Sequence, residues 1–257
     1  MDKKLKILYT ELLASDYCGR SLYERIRDRE LTCAPHFKGE EFEGSPLNLM
    51  IVGRAMNGWE TNFSDCNSPE ALAESVLQLR QPFEDIVAEE GIPCKGRSNY
   101  FYQKSNFWKL TKALLDAYGE ARPGIWKDEN FPWHQKVVWS NLYKVSPWGQ
   151  GNPSWAQIKP FMANYIEIIR REIEILSPKH ILFITDLNYF DPWKKQPSFS
   201  RNLLGELWRP EAIGCIVGTG QYNKSKIIIC KRPDRWGISD QKIKDMAKEI
   251  QETFKKM

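Results

Sequence analysis

Four short runs hold most of the side chains in this chain that could act on a ligand. They are Gly53-Arg54-Ala55-Met56-Asn57-Gly58-Trp59, Ser140-Asn141-Leu142-Tyr143-Lys144, Thr185-Asp186-Leu187-Asn188 and Lys231-Arg232-Pro233-Asp234. Arg54 presents a planar fork of N–H donors that suits a phosphate or carboxylate; its other reading is an ion pair. Asn141 offers a donor and an acceptor side by side, as needed to read a base edge; its other reading is a cap on nearby backbone. Arg232 precedes Pro233, which holds its backbone extended. That suits a side chain fixed beside a ligand, or an ion pair with Asp234 or Asp186. Asp186 and Asn188 either cap the next element or touch the ligand. Asn57-Gly58 is a turn dipeptide, so Asn57 is a turn residue or a catalytic polar group. Gly53 permits a tight turn. Lys144, Lys231 and Arg235 are phosphate contacts or solvated charges.

Other chemistries find less support. His36, His134 and His180 lie in dissimilar contexts, with no metal or triad spacing. Cysteines stand at 18, 33, 66, 94, 215 and 230, and none forms a Cys-x-x-Cys pair. No metal and no cofactor is therefore expected. Scattered thiols suit a reducing compartment. There is no signal-peptide pattern and no membrane-spanning apolar run. A cytoplasmic protein with no membrane partner is expected, acting as a monomer. The net charge of +4 is too mild to demand nucleic acid, though it permits a local basic face. Ten Trp among 257 residues leave rings available for a binding groove as well as the core.

Each run follows an apolar segment of strand length. Residues 47–52, 136–141, 180–185 and 226–230 read as buried strands, and 215–217 as a further edge strand. Between them, Phe107, Leu110, Leu114 and Tyr118 fit one helical face, as do Tyr165, Ile168, Ile169, Ile173 and Leu176, which stop before Pro178. Ile243, Met246, Ala247, Ile250 and Phe254 give a C-terminal helix. Residues 1–45 read as a helical extension, and 60–105 as an irregular excursion with a short helix near 68–79. Strands alternating with helices predict a single three-layer α/β/α domain over 1–257, with a mainly parallel sheet of about four strands. In such a sheet, ligands bind beyond the carboxyl ends of the strands, where all four runs fall.

From about residue 47 to 255, the order of motifs resembles the uracil-DNA glycosylase-like superfamily. Ile51-Val52-Gly53 onward is similar to its water-activating motif. Asn106-Phe107-Trp108 is similar to a helix-opening Asn-x-Phe-Trp. Asn141-Leu142-Tyr143-Lys144 is similar to the strand-end motif whose Asn reads the flipped base. Leu176-Ser177-Pro178-Lys179-His180-Ile181-Leu182 resembles the run entering the third strand, and Cys230-Lys231-Arg232-Pro233 stands where those enzymes have a His-Pro-Ser loop. The resemblance implies a base flipped out of DNA, a polar group activating water, and a charged group stabilising the leaving base. The chain departs from the pattern with Ala55 and Met56 in the first motif and Arg232 in place of His. Asn57 and Glu60, a few residues on, are the candidates for displaced substitutes, and Arg232 can still stabilise an anion.

Three readings follow. The first is a DNA glycosylase-like hydrolase of DNA repair, with Arg232 and Asn57 catalytic and Gly53, Arg54, Asn141, Lys144 and Asp186 binding substrate. The second is a non-catalytic protein that binds nucleic acid or a nucleotide on the same fold. The third is a hydrolase of an anionic metabolite held by Arg54, Lys231 and Arg232. Fold alone does not choose among them.

Overall fold

A computed structural model describes residues 2–56, 61–79, 105–120, 133–149, 151–190, 199, 202–203, 209–233 and 238–257. The chain begins with α1 (Lys3–Ala14) and α2 (Leu22–Arg27), then β1 (Leu31–Cys33), β2 (Phe37–Lys38) and β3 (Leu49–Ala55). Next come α3 (Pro69–Leu77), α4 (Asn106–Ala117), β4 (Val137–Tyr143) and β5 (Val145–Pro147). Then follow α5 (Trp155–Ile158), α6 (Met162–Leu176), β6 (His180–Ile184) and α7 (Leu187–Phe190). The last elements are β7 (Arg209–Ile213), β8 (Ile216–Tyr222), β9 (Ser225–Cys230) and α8 (Asp240–Lys256).

The main sheet has the order β2-β4-β3-β6-β9-β8-β7. Its centre, β4-β3-β6-β9, is parallel, as the four apolar segments predict. It is wider than the expected four strands. β2 adds antiparallel to β4, and β8 and β7 extend the other edge antiparallel. Ile216 and Val217 of the segment 215–217 begin β8, one strand in from that edge. β1 and β5 form a separate antiparallel pair. Residues 1–45 therefore contribute two short strands as well as helices. Pairs this short have too few residues for a period to register.

The layers follow from strand alternation. Leu49 and Ile51 of β3 pack with Leu110, Leu114, Ile243 and Ile250 of α4 and α8. Met50 and Val52 point the other way, to Leu12 of α1, Leu72 of α3 and Ile169 of α6. All four strand residues are fully buried, because both faces are covered. Local signals set the helix ends. Ser68 caps α3 and Ser239 caps α8 through their hydroxyls. α6 closes on Ser177 at φ +45°, just before Pro178. Crossovers run from β3 to β4 through α4, and from β4 to β6 through α6, on opposite faces. The strand order therefore reverses around β3, and its carboxyl end lies beside a crevice.

Candidate ligand site at the carboxyl ends of the strands

Gly53 and Asn141 are register partners on β3 and β4. A Cβ built on Gly53 would lie 2.6 Å from Asn141 Oδ1 and 3.5 Å from the Phe107 ring. No side chain fits there. The glycine is needed for the close approach of Asn141, rather than for a left-handed backbone. Asn141 is only 3% exposed, and its Nδ2 is buried with no hydrogen-bond partner among the described residues. An unmet buried donor costs about 1–3 kcal/mol, so it is normally paired. Met56 is buried in the same cluster as Phe107 and Trp108. Its place in the first motif is filled by an apolar wall.

Arg54, the next residue of β3, points to the α6 face. Its Nε donates to the Thr185 carbonyl at 3.2 Å, and its Nη2 pairs with Asp186 Oδ2. Its guanidinium carbon lies 3.7 Å from the centre of the Tyr189 ring. Of the two readings left open by the sequence, the ion pair is the one adopted. Asp186 ties three strand ends together. Besides Arg54 of β3, its Oδ1 accepts the Arg232 N–H at 2.9 Å, and its own N–H donates to the Cys230 carbonyl at 3.1 Å. It reaches both by adopting φ +60°, a conformation Asp tolerates better than most residues. Arg232 is half-buried beside it. The bond from Asp186 goes to the Arg232 backbone. Lys231 is exposed, and its Nζ donates to the Gly214 carbonyl at 2.8 Å.

Lys144 corrects the expectation of a phosphate contact. Its side chain is fully enclosed on the α6 face, with Nζ 2.8 and 2.9 Å from the two Glu172 oxygens and 2.6 Å from Ser140 Oγ. Ser140 Oγ donates to Glu172 Oε2 at 2.7 Å, and His36 Nδ1 stands 3.3 Å from Oε1. Burial opposes both charges. It lowers the Lys144 ammonium, against the pull of Glu172. It would also raise the Glu172 carboxyl, but Lys144 and His36 outweigh it and hold that group down at about 2. Two sequence signals agree with this arrangement, though neither pairs the two residues. Asn141 and Lys144 are three residues apart in extended chain, hence on opposite faces. Glu172 falls on the apolar stripe of α6, between Ile169 and Ile173, where a carboxylate needs a buried cation.

The remaining candidates divide simply. Asn57, Glu60 and Arg235 lie outside the described residues. Asn188 is exposed on α7. The His180 Nδ1 is 2.6 Å from the Leu47 carbonyl, at the far end of the sheet. Burial lowers the His180 and His134 imidazoles. Among the described residues no group of three or more His, Cys, Asp or Glu could hold a metal, and no helix is long and apolar enough to cross a membrane. The chain matches no family model and no curated protein sequence.

At these strand ends, then, Gly53, Asn141 and Phe107 form a cluster on the α4 face. Arg54, Asp186 and the Arg232 backbone form a brace on the other side. The first offers an unmet donor on Asn141 and an aromatic ring at Gly53. The second is internally neutralised, with its acidic group already occupied.

Proposed function

We propose that this chain binds a nucleobase-containing ligand at the carboxyl edge of its sheet, as a divergent relative of the uracil-DNA glycosylase-like proteins. The observation that carries this reading is the buried Asn141 Nδ2, which has no hydrogen-bond partner among the described residues, on an amide whose Oδ1 sits over Gly53, with the Phe107 ring also beside that glycine. A base edge would supply the missing acceptor, and an aromatic ring beside it would favour a planar heterocycle. Hydrolysis of the N-glycosidic bond of a flipped base is the reaction this reading offers, with Arg232 stabilising the departing base. Recognition has more support than catalysis. Asp186, the acidic residue of the motif ends among the described residues, is committed to Arg54 and the Arg232 N–H. The metabolite reading is less favoured, because Arg54 already has its carboxylate.

The test joins ligand-induced thermal stabilisation by nucleosides with base release from oligonucleotides carrying uracil, hypoxanthine or xanthine. Stabilisation by a nucleoside, lost in Asn141→Ala, is expected. Stabilisation that Asn141→Ala leaves intact would place the ligand elsewhere. Released base that disappears in Arg232→Ala would add the hydrolytic step. No released base with stabilisation retained would leave a binding protein.

A further inference from the structure

The α6 face of the same edge carries an ordered aromatic stack. The Tyr189 ring, under the Arg54 guanidinium, stands 5.0 Å from the Trp155 ring with planes 38° apart. Trp155 also meets the edge of Tyr143 at 6.4 Å and 88°. The Tyr143 hydroxyl donates to the Tyr189 carbonyl, which ties the two partners of Trp155 together. A capping box holds the first turn of α5: Ser154 Oγ accepts the Gln157 N–H, and Gln157 Oε1 accepts the Ser154 N–H. The indole is thus held from its backbone and its ring contacts.

It nevertheless remains 41% exposed, one of four large apolar side chains more than a third exposed among the described residues. Lys159, exposed and four residues on in the same helical run, falls on the same side as Trp155. Exposed indole area, rigid support and a neighbouring ammonium are what an unpaired nucleotide needs. Its base stacks on the ring and its phosphate meets the cation. Duplex bases stack on one another and hide those faces.

We propose that Trp155 is a stacking platform for a single-stranded nucleic acid, with Lys159 contacting its backbone. This inference rests on the reading of the edge as base-binding, and it names the form of nucleic acid held there. Fluorescence anisotropy of a short labelled oligothymidine strand tests it with the full chain. Trp155→Ala is expected to weaken binding about tenfold, and Trp155→Phe, which keeps a stacking face, to stay within about threefold of wild type. Equal affinity of wild type and Trp155→Ala overturns the platform. So does the absence of strand binding by wild type, or tighter binding of the matching duplex. Nucleoside-induced stabilisation in Asn141→Ala reports the Asn141 pocket separately. If that shift is lost while Trp155→Ala binds the strand normally, the platform falls and the pocket stands. If no nucleoside stabilises wild type while Trp155→Ala still weakens strand binding, the pocket falls and the platform stands.

Discussion

Position 53 and position 141 work as one unit. The missing Cβ of Gly53 is the space that Asn141 Oδ1 occupies. Gly53→Ala is therefore expected to push Asn141 aside and to destabilise the protein by about 1–3 kcal/mol, the range for overpacking a filled site. Chemical denaturation measures the cost, and loss of nucleoside-induced stabilisation reports the misplaced amide. Asn141→Ala behaves differently. It removes an unmet donor, so the ligand-free protein is expected to melt no lower than wild type, while its response to nucleoside disappears. A purely structural Asn would lower the melting temperature. At Lys144 the expectation is the reverse. Lys144→Met strands the buried Glu172 carboxylate and is expected to cost about 3–5 kcal/mol. The double change Lys144→Met with Glu172→Leu is expected to recover much of that loss in the same denaturation experiment.

At the scale of elements, Asp186 is the joint between the ends of β3, β6 and β9. Its two oxygens have separate tasks: Oδ2 holds Arg54, and Oδ1 accepts the Arg232 N–H. Asp186→Asn keeps an acceptor for the backbone bond and loses the ion pair. Asp186→Ala loses both. Melting temperature is expected to fall in the order wild type, Asn, Ala, with Asn nearer wild type, since the pair is partly open to solvent at 16% and 31% exposure. Equal loss in the two variants would assign the joint to the ion pair alone. α6 serves a different end. Its apolar stripe carries one carboxylate, Glu172, which pins the helix to β4 through Lys144 and Ser140. That fixes how the helix sits on the sheet, and with it the Tyr165 ring that packs 5.6 Å from Tyr143.

For the whole molecule, the same buried pair predicts acid sensitivity. Glu172 is held down at about 2 in the fold, against an ordinary value of 4.5. A depressed carboxyl contributes stability that is fully present above the unfolded value and is lost as pH falls through the folded one. Stability is therefore expected to decline between about pH 4.5 and 2, by an amount on the order of 3 kcal/mol from this group. Denaturation midpoints across that range check it. In Lys144→Met with Glu172→Leu the decline is expected to be shallower. An identical pH profile in the double variant would assign the acid sensitivity to other carboxylates.

The sequence by itself determined the alternation of buried strands with amphipathic helices, and hence the parallel centre of the sheet. Apolar runs such as 49–52 are hydrophobic on both faces, and only a strand covered on both sides buries them. It also placed Asn141, Arg54, Asp186 and Arg232 at strand ends. Tertiary structure decided which of these side chains meet. The register of β3 against β4 puts Gly53 under Asn141, and the left-handed turn at Asp186 gives Arg54 its carboxylate. It also decided the width of the sheet, because β2 is too short for a period and β7, Arg209-Pro210-Glu211-Ala212-Ile213, carries no apolar run, and it took Lys144 out of the site. A charged residue reads the same in sequence whether water or a buried partner satisfies it. Only the packing of α6 on β4 brings Glu172 within reach of Lys144 and makes that choice.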